Sequence, residues 1–160
     1  MTGRALFLDR DGTLIVDVAY PRDPAQVQPI AGAVEALRDL ERDYALVIVS
    51  NQSGIARGLI TPAEAEAVHA RTIKVFAAQG ITFAGAYYCP HGPDHGCTCR
   101  KPMPGMLEQA ARELDLDLAR SVIVGDKPSD LEAGQAVGAR GVLFAGDWRA
   151  VKHEVLGRAR

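Results

Sequence analysis

The sequence lacks the features that would point to a membrane or to nucleic acid. No uninterrupted apolar run in its 160 residues approaches the roughly 18 that would span a bilayer. The formal net charge is −2, so no excess of positive charge would attract nucleic acid or an anionic lipid surface. At the N-terminus a short apolar segment runs directly into the charges of Asp9, Arg10 and Asp11, without a small-residue cleavage pattern. We therefore expect no signal peptide and a cytoplasmic protein.

Cysteine is scarce, and all of it lies in one place. The chain has three cysteines, Cys89, Cys97 and Cys99. In a reducing compartment such a cluster indicates a metal site rather than disulfides. Together with His91 it offers three thiolates and one imidazole, a complete tetrahedral set for Zn²⁺ without an open position, which predicts a structural metal. His95 lies between the two cysteine pairs and is an alternative to His91, with less favourable spacing.

Internal repeats, low-complexity tracts and linkers are also missing, which predicts a single domain over residues 1–160. Five short apolar runs rich in β-branched residues read as strands, and they are continuous rather than alternating, as in a parallel sheet buried on both faces. Strands that alternate with helical segments predict a doubly wound, Rossmann-like α/β fold, a mostly parallel sheet flanked by helices. The predicted strands are residues 5–8, 45–49, 83–88, 121–125 and 140–144, and the segments with helical character are 33–40, 61–80, 106–114 and 129–138, followed by a turn and a basic helix within 145–160.

Two helix starts carry capping signals. Thr61 with Glu64 forms a capping box around a proline at the first helical position, and Ser129 with Glu132 has the spacing of a second one. His69 and His153 fall on what we interpret as polar helix faces, where they would have no specific role.

Polar residues follow four of the predicted strands, at the edge where open parallel sheets bind their ligands. The first strand leads into DRDGT (9–13), the second into SNQSG (50–54), the third through the cysteine loop into Arg100 and Lys101, and the fourth into GDKPSD (125–130). Three acids, a hydroxyl and a lysine would then converge. Such a set suits phosphoryl transfer, because Mg²⁺ relieves the repulsion between carboxylates and a carboxylate beside it can attack phosphorus.

In this order, DRDGT, SNQSG, RKP and GDKPSD resemble the four motifs of the haloacid dehalogenase superfamily of phosphatases. The resemblance covers most of the chain. It implies that Asp9 is the nucleophile and that Asp11 is the general acid and base. Ser50 would hydrogen-bond the phosphoryl group, and Lys101 would hold its charge.

The same resemblance implies a catalytic Mg²⁺ ion. Its ligands would be the carboxylates of Asp9 and Asp126 and the backbone carbonyl of Asp11. Asp130 is a possible further ligand, although its place at the start of a helix also suits a cap.

The zinc loop would act on the site through its position in the chain. Arg100 and Lys101 come directly after Cys99, so a metal that fixes this cysteine also fixes the direction of the two cations. A loop rich in glycine and proline has little apolar surface to order itself, and zinc would supply the missing folding energy.

Two capless branches of the superfamily resemble this chain. SNQSGIARG, YYCPH, CRKPMPGM and VGDKPSD are similar to phosphatases that remove the 7-phosphate of D-glycero-D-manno-heptose 1,7-bisphosphate, in the synthesis of nucleotide-activated heptose for lipopolysaccharide or surface glycans. The short zinc loop is similar to that of histidinol-phosphate phosphatases of histidine biosynthesis. Either branch implies a small phosphorylated metabolite as partner, and we expect a monomer.

Charge favours the bisphosphate. Cations beyond the catalytic lysine suit a second phosphate better than the amine of histidinol phosphate, although Asp17 or Asp23 could face that amine. The candidate substrate-binding residues are Asn51, Gln52, Ser53, Arg57, Arg100 and Lys127.

A non-catalytic protein is the alternative from another class. Receiver domains share the sheet, an acceptor aspartate, Mg²⁺ and a lysine, but they lack an acid two residues after the acceptor and have no reason for a zinc loop. Asp9 together with Asp11 therefore favours an enzyme over a phospho-acceptor or binding module.

Overall fold

A computed structural model describes residues 3–157 and contains all five predicted strands in one parallel sheet. The order β3-β2-β1-β4-β5 places β1 at the centre, where Leu6 pairs with Leu46 on one side and with Val122 on the other. The predicted doubly wound α/β fold is confirmed. The strands are β1 (Ala5–Leu8), β2 (Ala45–Asn51), β3 (Gly85–Cys89), β4 (Val122–Gly125) and β5 (Arg140–Leu143).

Helices cover both faces of the sheet, because strand side chains alternate between them. On one face Leu6 and Leu8 belong to a core with Trp148, and on the other Phe7 packs in a core with Leu107. The helices are α1 (Ala33–Leu40), α2 (Pro62–Ala77), α3 (Gly105–Leu114), α4 (Pro128–Gln135) and α5 (Trp148–Gly157). None of them is long and apolar enough to cross a membrane.

Two strands extend further toward the site than predicted. Strand β2 continues through Ser50 to Asn51, and β3 begins only at Gly85 and includes Cys89. The cause is their mutual pairing, which ends at Asn51 opposite Cys89. Ser50 therefore projects from a buried strand rather than from a loop.

The predicted capping box at Ser129 is wrong, whereas the one at Thr61 is present with both of its hydrogen bonds. Helix α4 begins at Pro128, whose fixed φ suits the first helical position. The carboxylate that accepts the capping bond is that of Asp130, from the backbone N–H of Lys127 at 3.1 Å.

His69 is not on a polar face, which corrects a second prediction. Its side chain is buried against the sheet and meets the ring of Tyr88 edge to face, with ring centroids 4.8 Å apart. His153 is exposed as expected. In α5 the buried Trp148 donates a hydrogen bond from its indole N–H to the carbonyl of Thr13 at 2.9 Å, so this helix anchors the loop after β1. Residues 158–160 of the predicted terminal segment lie outside the described residues.

Candidate active site

The loop after β1 brings its polar residues against the end of β4. The backbone N–H of Asp9 donates to the carbonyl of Val124 at 3.0 Å, which continues the parallel pairing by one residue. Gly12 has φ +83°, and a Cβ there would meet a carboxylate oxygen of Asp126 at 2.7 Å, so only glycine fits. Thr13 donates from its hydroxyl to the same carboxylate at 3.3 Å.

Lys101 lies at the centre of the site, buried among oxygen atoms. Its ammonium donates to Asp9 Oδ1 at 2.9 Å, to Asp130 Oδ1 at 2.6 Å and to the carbonyl of Val49 at 2.7 Å. Burial alone would lower the pKa of Lys101, but the charges of Asp9 and Asp130 outweigh it, so the pKa is raised. The lysine is therefore a fixed positive charge beside the proposed nucleophile.

Three carboxylates meet next to this lysine. Asp9, Asp126 and Asp130 each offer an oxygen within 4.8 Å of the others, a set that could hold a metal ion. Burial, followed by the hydrogen bond and the charge of Asp9, raises the pKa of Asp126 to about 6. Burial and Asp9 also raise the pKa of Asp130, against the opposing effect of Lys101. The single charge of Lys101 does not balance three carboxylates. Carboxylate oxygens in such a cluster normally bind a divalent cation such as Mg²⁺, which supplies the missing positive charge.

Asp11 lies outside this acid cluster and is held by nitrogen donors. Its Oδ1 accepts from Arg10 Nε at 3.0 Å, and its Oδ2 accepts from Arg10 Nη2 at 3.1 Å and from Gln52 Nε2 at 2.7 Å. The Gln52 amide also donates to Ser50 Oγ at 2.7 Å. Gln52, predicted to bind substrate, therefore joins two site residues to each other. Arg10 was missed, although an arginine between two acids directly after a buried strand is a signal that the sequence does show.

Asn51 has a similar internal role. Its side-chain carbonyl accepts from the backbone N–H of Lys101 at 3.0 Å, and its amide donates to the backbone carbonyl of the same residue at 3.1 Å. The end of β2 thereby fixes the backbone of the lysine, across fifty residues of sequence.

The site opens into a cleft of about 380 Å³. It contains the predicted substrate-binding cations and Asp17, whereas Asp23 instead caps a short 3₁₀ helix by accepting from the N–H of Ala25 at 2.9 Å. The lining residues from the predicted set are Asp9, Asp11, Asn51, Gln52, Ser53, Arg57, Arg100, Lys101, Lys127 and Asp130.

The four predicted zinc ligands converge beside this cleft, with their ligand atoms within 4.8 Å of one another. His91 Nδ1 lies 3.4 Å from the sulfur of Cys89 and 3.3 Å from that of Cys99, and Cys97 Sγ lies 3.7 Å from each of these sulfurs. Tetrahedral zinc with bonds of about 2.3 Å to sulfur separates its sulfur ligands by about 3.8 Å, and both distances of the Cys97 sulfur match this separation.

The sulfurs of Cys89 and Cys99 are in direct contact. A disulfide between these two cysteines would not account for the convergence of His91 and Cys97 on the same point, whereas a metal ion would. We therefore interpret the cluster as a metal site. His95 lies apart from it, and its Nδ1 accepts from the backbone N–H of Gly92 at 2.9 Å.

The fold and the site define a class of protein. A model of HAD-hydrolase-like proteins matches residues 98–153, which contain Lys101, Asp126 and Asp130. Curated relatives extend the similarity to more than four fifths of the chain at 45% identity. The chain belongs to the haloacid dehalogenase superfamily.

Several of the similar proteins are named as heptose bisphosphate phosphatases. The chain is 45% identical over 140 residues to the D-glycero-beta-D-manno-heptose-1,7-bisphosphate 7-phosphatase of Yersinia pestis. The alignment covers 82% of this chain and 74% of the relative. It is also 45% identical over 142 residues to the protein of that name from Pseudomonas putida, covering 88% and 81%. The crystal structure of the D,D-heptose 1,7-bisphosphate phosphatase from B. bronchiseptica, complexed with magnesium and phosphate, superimposes with a TM-score of 0.80 at 34% identity, covering 98% of this chain and 99% of that one.

Proposed function

We propose that this protein is a Mg²⁺-dependent phosphatase that removes the 7-phosphate of D-glycero-β-D-manno-heptose 1,7-bisphosphate. The observation that carries the proposal is the buried contact between Lys101 Nζ and Asp9 Oδ1 at 2.9 Å, with Asp11 two residues further on and the same cleft open to both carboxylates. A nucleophile, a fixed cation and a second acid are the minimum that turnover through an aspartyl-phosphate needs.

In the first step an Asp9 oxygen attacks the 7-phosphorus while the bond to the sugar's 7-oxygen breaks. Asp11, protonated at this stage, gives its proton to that oxygen, and the phosphoryl group stays on Asp9. Lys101 neutralises charge on the transferred group. Ser50 accepts from Gln52 and so keeps its own hydroxyl proton for a phosphoryl oxygen.

In the second step a water molecule attacks the aspartyl-phosphate. Asp11, now ionised, takes a proton from this water, and the bond between phosphorus and the Asp9 oxygen breaks to release phosphate. The proton balance closes, because the proton that Asp11 lost to the sugar is regained from water.

The acid cluster fits a magnesium ion. Asp9 and Asp126 would hold it with the backbone carbonyl of Asp11, and Asp130 stands close enough to orient these ligands while it binds Lys101. When bound, the ion supplies charge neutralisation to the transferred phosphoryl group. The magnesium and phosphate of the B. bronchiseptica structure support this assignment.

The choice of a bisphosphate is supported by the charges of the cleft. Apart from the catalytic lysine and the acids Asp9, Asp11 and Asp130, the charged residues that line the cleft are Arg57, Arg100, Lys127 and Asp17, which are three cations and one carboxylate. A second phosphate would bind these cations, whereas the amine of histidinol phosphate would meet mostly like charge. The shared name of the curated relatives supports the same substrate.

The test is phosphate release by the purified protein with Mg²⁺ from the β- and α-anomers of the heptose bisphosphate and from histidinol phosphate. We expect the β-anomer to give the highest kcat/KM. The Asp9→Asn variant, which keeps the shape of the side chain, should lose at least about 10³-fold in kcat. A preference for histidinol phosphate would overturn the substrate assignment but not the chemistry, and full activity of Asp9→Asn would overturn the chemistry itself.

A further inference from the structure

Arg10 is a buried arginine that the reaction as described does not use. Its side chain is 1% exposed. Burying a guanidinium is costly unless its hydrogen bonds are made, and apolar side chains of similar size often serve stability as well or better. The partner of Arg10 is its own neighbour in the chain, Asp11.

The contact fixes the Asp11 carboxylate in both position and rotation. Two parallel N–H groups of Arg10 hold one oxygen each, at 3.0 and 3.1 Å, and Gln52 adds a third donor on Oδ2 at 2.7 Å. Bidentate arginine–carboxylate pairs add this kind of geometric specificity. Oδ2 thus has two donors and Oδ1 only one, so Oδ1 keeps the freer lone pair on a side chain that is 19% exposed to the cleft.

The charge of Arg10 also acts on a buried histidine, His69. Among residues 3–157, Arg10 Nη1 and His69 Nδ1 are the two buried side-chain nitrogen or oxygen atoms without a hydrogen-bond partner. Burial, followed by the charge of Arg10, lowers the pKa of His69, which favours the neutral imidazole. A neutral histidine carries no charge, so the carboxylate of Asp11 is the ionic partner of Arg10.

We propose that Arg10 is a positioning residue that directs Asp11 Oδ1 toward the oxygen of the leaving group and then toward the attacking water, and that Gln52 helps to hold the same carboxylate. The inference rests on the proposed function, because it assumes that Asp11 transfers these protons. It predicts that replacing Arg10 slows only those steps of the reaction in which Asp11 transfers a proton.

The test compares two substrates that differ in their need for a proton. The sugar oxygen of the heptose bisphosphate leaves only when protonated, whereas p-nitrophenol leaves from p-nitrophenyl phosphate as the phenolate. Because kcat/KM includes only steps up to release of the leaving group, it should depend on Asp11 for the first substrate and hardly for the second.

The variant is Arg10→Lys, which keeps the charge but cannot reproduce two parallel N–H donors. We expect kcat/KM for the heptose bisphosphate to fall about 10²-fold, since general acid catalysis contributes about 10² to 10⁴-fold. For p-nitrophenyl phosphate kcat/KM should change by less than about threefold. Its kcat should fall and a burst of p-nitrophenol should appear, because hydrolysis of the aspartyl-phosphate still requires Asp11 as a base.

Arg140→Lys is the matched control. This arginine is also partly buried, and its guanidinium donates to the backbone carbonyls of Glu154 at 3.4 Å and Val155 at 3.0 Å, away from the cleft. It should leave the ratio of the two kcat/KM values unchanged. Gln52→Leu is a second variant, expected to shift the ratio in the same direction as Arg10→Lys, and it keeps the test decisive if the arginine variant does not fold.

The outcomes distinguish a failure of the proposed function from a failure of the role assigned to Arg10. Wild-type protein that turns over neither substrate overturns the proposed function. Wild-type protein that turns over both, with Arg10→Lys and Gln52→Leu each retaining the wild-type ratio, overturns this inference alone. Equal losses on both substrates in the two variants also overturn it, since they indicate a structural role only.

Discussion

Replacing Lys101 with methionine tests whether the ion cluster at the centre of the site also stabilises the fold. The substitution removes an ammonium that makes three hydrogen bonds, two of them to carboxylates, and leaves an apolar side chain of similar length in their place. Asp9 and Asp130 then face each other in a buried region without the charge between them.

The magnitude follows from the burial of the ion pairs. Breaking a buried pair by removing one partner costs about 3–5 kcal/mol, because the remaining charge stays uncompensated. A domain of this kind is stable by only about 5–15 kcal/mol. Lys101→Met should therefore lose a large part of its free energy of unfolding at neutral pH, measured by urea denaturation without added magnesium.

The loss should depend on pH with a definite sign. In the wild-type protein Lys101 opposes the rise in the pKa of Asp130, so its removal raises that pKa further. A carboxyl whose folded-state pKa is raised contributes stability that is present below its ordinary pKa and lost as the pH rises through the folded value. Lys101→Met should hence be least destabilised in mild acid and most destabilised at neutral pH.

Two variants make the result decisive. Adding Asp130→Asn to Lys101→Met removes the uncompensated charge and should restore about 1–3 kcal/mol. Lys152→Met breaks the exposed pair with Asp39, whose atoms are 3.0 Å apart, and should cost far less than Lys101→Met because water screens this pair. If Lys101→Met costs no more than Lys152→Met at every pH, the cluster does not stabilise the fold and the reasoning is refuted.

Three further predictions concern the surroundings of the site. Asn51→Ala leaves both backbone groups of Lys101 without their partners, so the free energy of unfolding should fall by about 2 kcal/mol in urea, and an unchanged value would show that water replaces the amide. The variant His91→Ala should remove zinc, which a measurement of metal content checks, and should raise KM for the heptose bisphosphate about tenfold because Arg100 is released. The change should be smaller for p-nitrophenyl phosphate, which has no second phosphate, and equal changes in KM for the two substrates would contradict this. Burial and the hydrogen bond to Glu113 raise the pKa of Tyr87 from 10.0 to about 12, so unfolding stability should fall as the pH rises through that interval. Tyr87→Phe should show a shallower fall in alkaline urea titrations, and an identical slope would exclude this tyrosine as its source.

The fold could be predicted because its signals are local. Each buried strand is a continuous apolar run, and the segments between them show helical periodicity, so element type followed directly. Boundaries were less accurate where tertiary contacts decide them. Strand β2 extends to Asn51 because β3 pairs with it there, and α4 begins at Pro128 because Asp130 caps its own helix from the third position. The partner of β2 cannot be seen within its own segment, whereas the cap of α4 is a local contact that was assigned to Ser129 instead of Asp130.

The sequence indicates which residue types gather at the candidate site, but it does not show the contacts between them. Asp9, Asp11, Lys101 and Asp126 fall into motifs at strand ends, and the topology brings these ends together. Arg10 was given no role from the sequence, whereas the structure buries it as the partner of Asp11. Asn51 and Gln52 line the cleft as expected of substrate-binding residues, but their amides also bind Lys101, Asp11 and Ser50, and the sequence does not show these contacts.

The position of Arg100 explains how the zinc loop and the acid cluster act together. It follows Cys99, which belongs to the metal cluster, and precedes Lys101, whose backbone is held by Asn51 and whose ammonium is buried between two acids. Because Lys101 keeps these other anchors, loss of zinc should free Arg100 before it displaces the lysine. The hydrogen bond from Arg100 Nη1 to the carbonyl of His91, at 3.4 Å, ties the arginine to the same loop. The metal would therefore act mainly on substrate binding and the buried ion pairs on the chemical step.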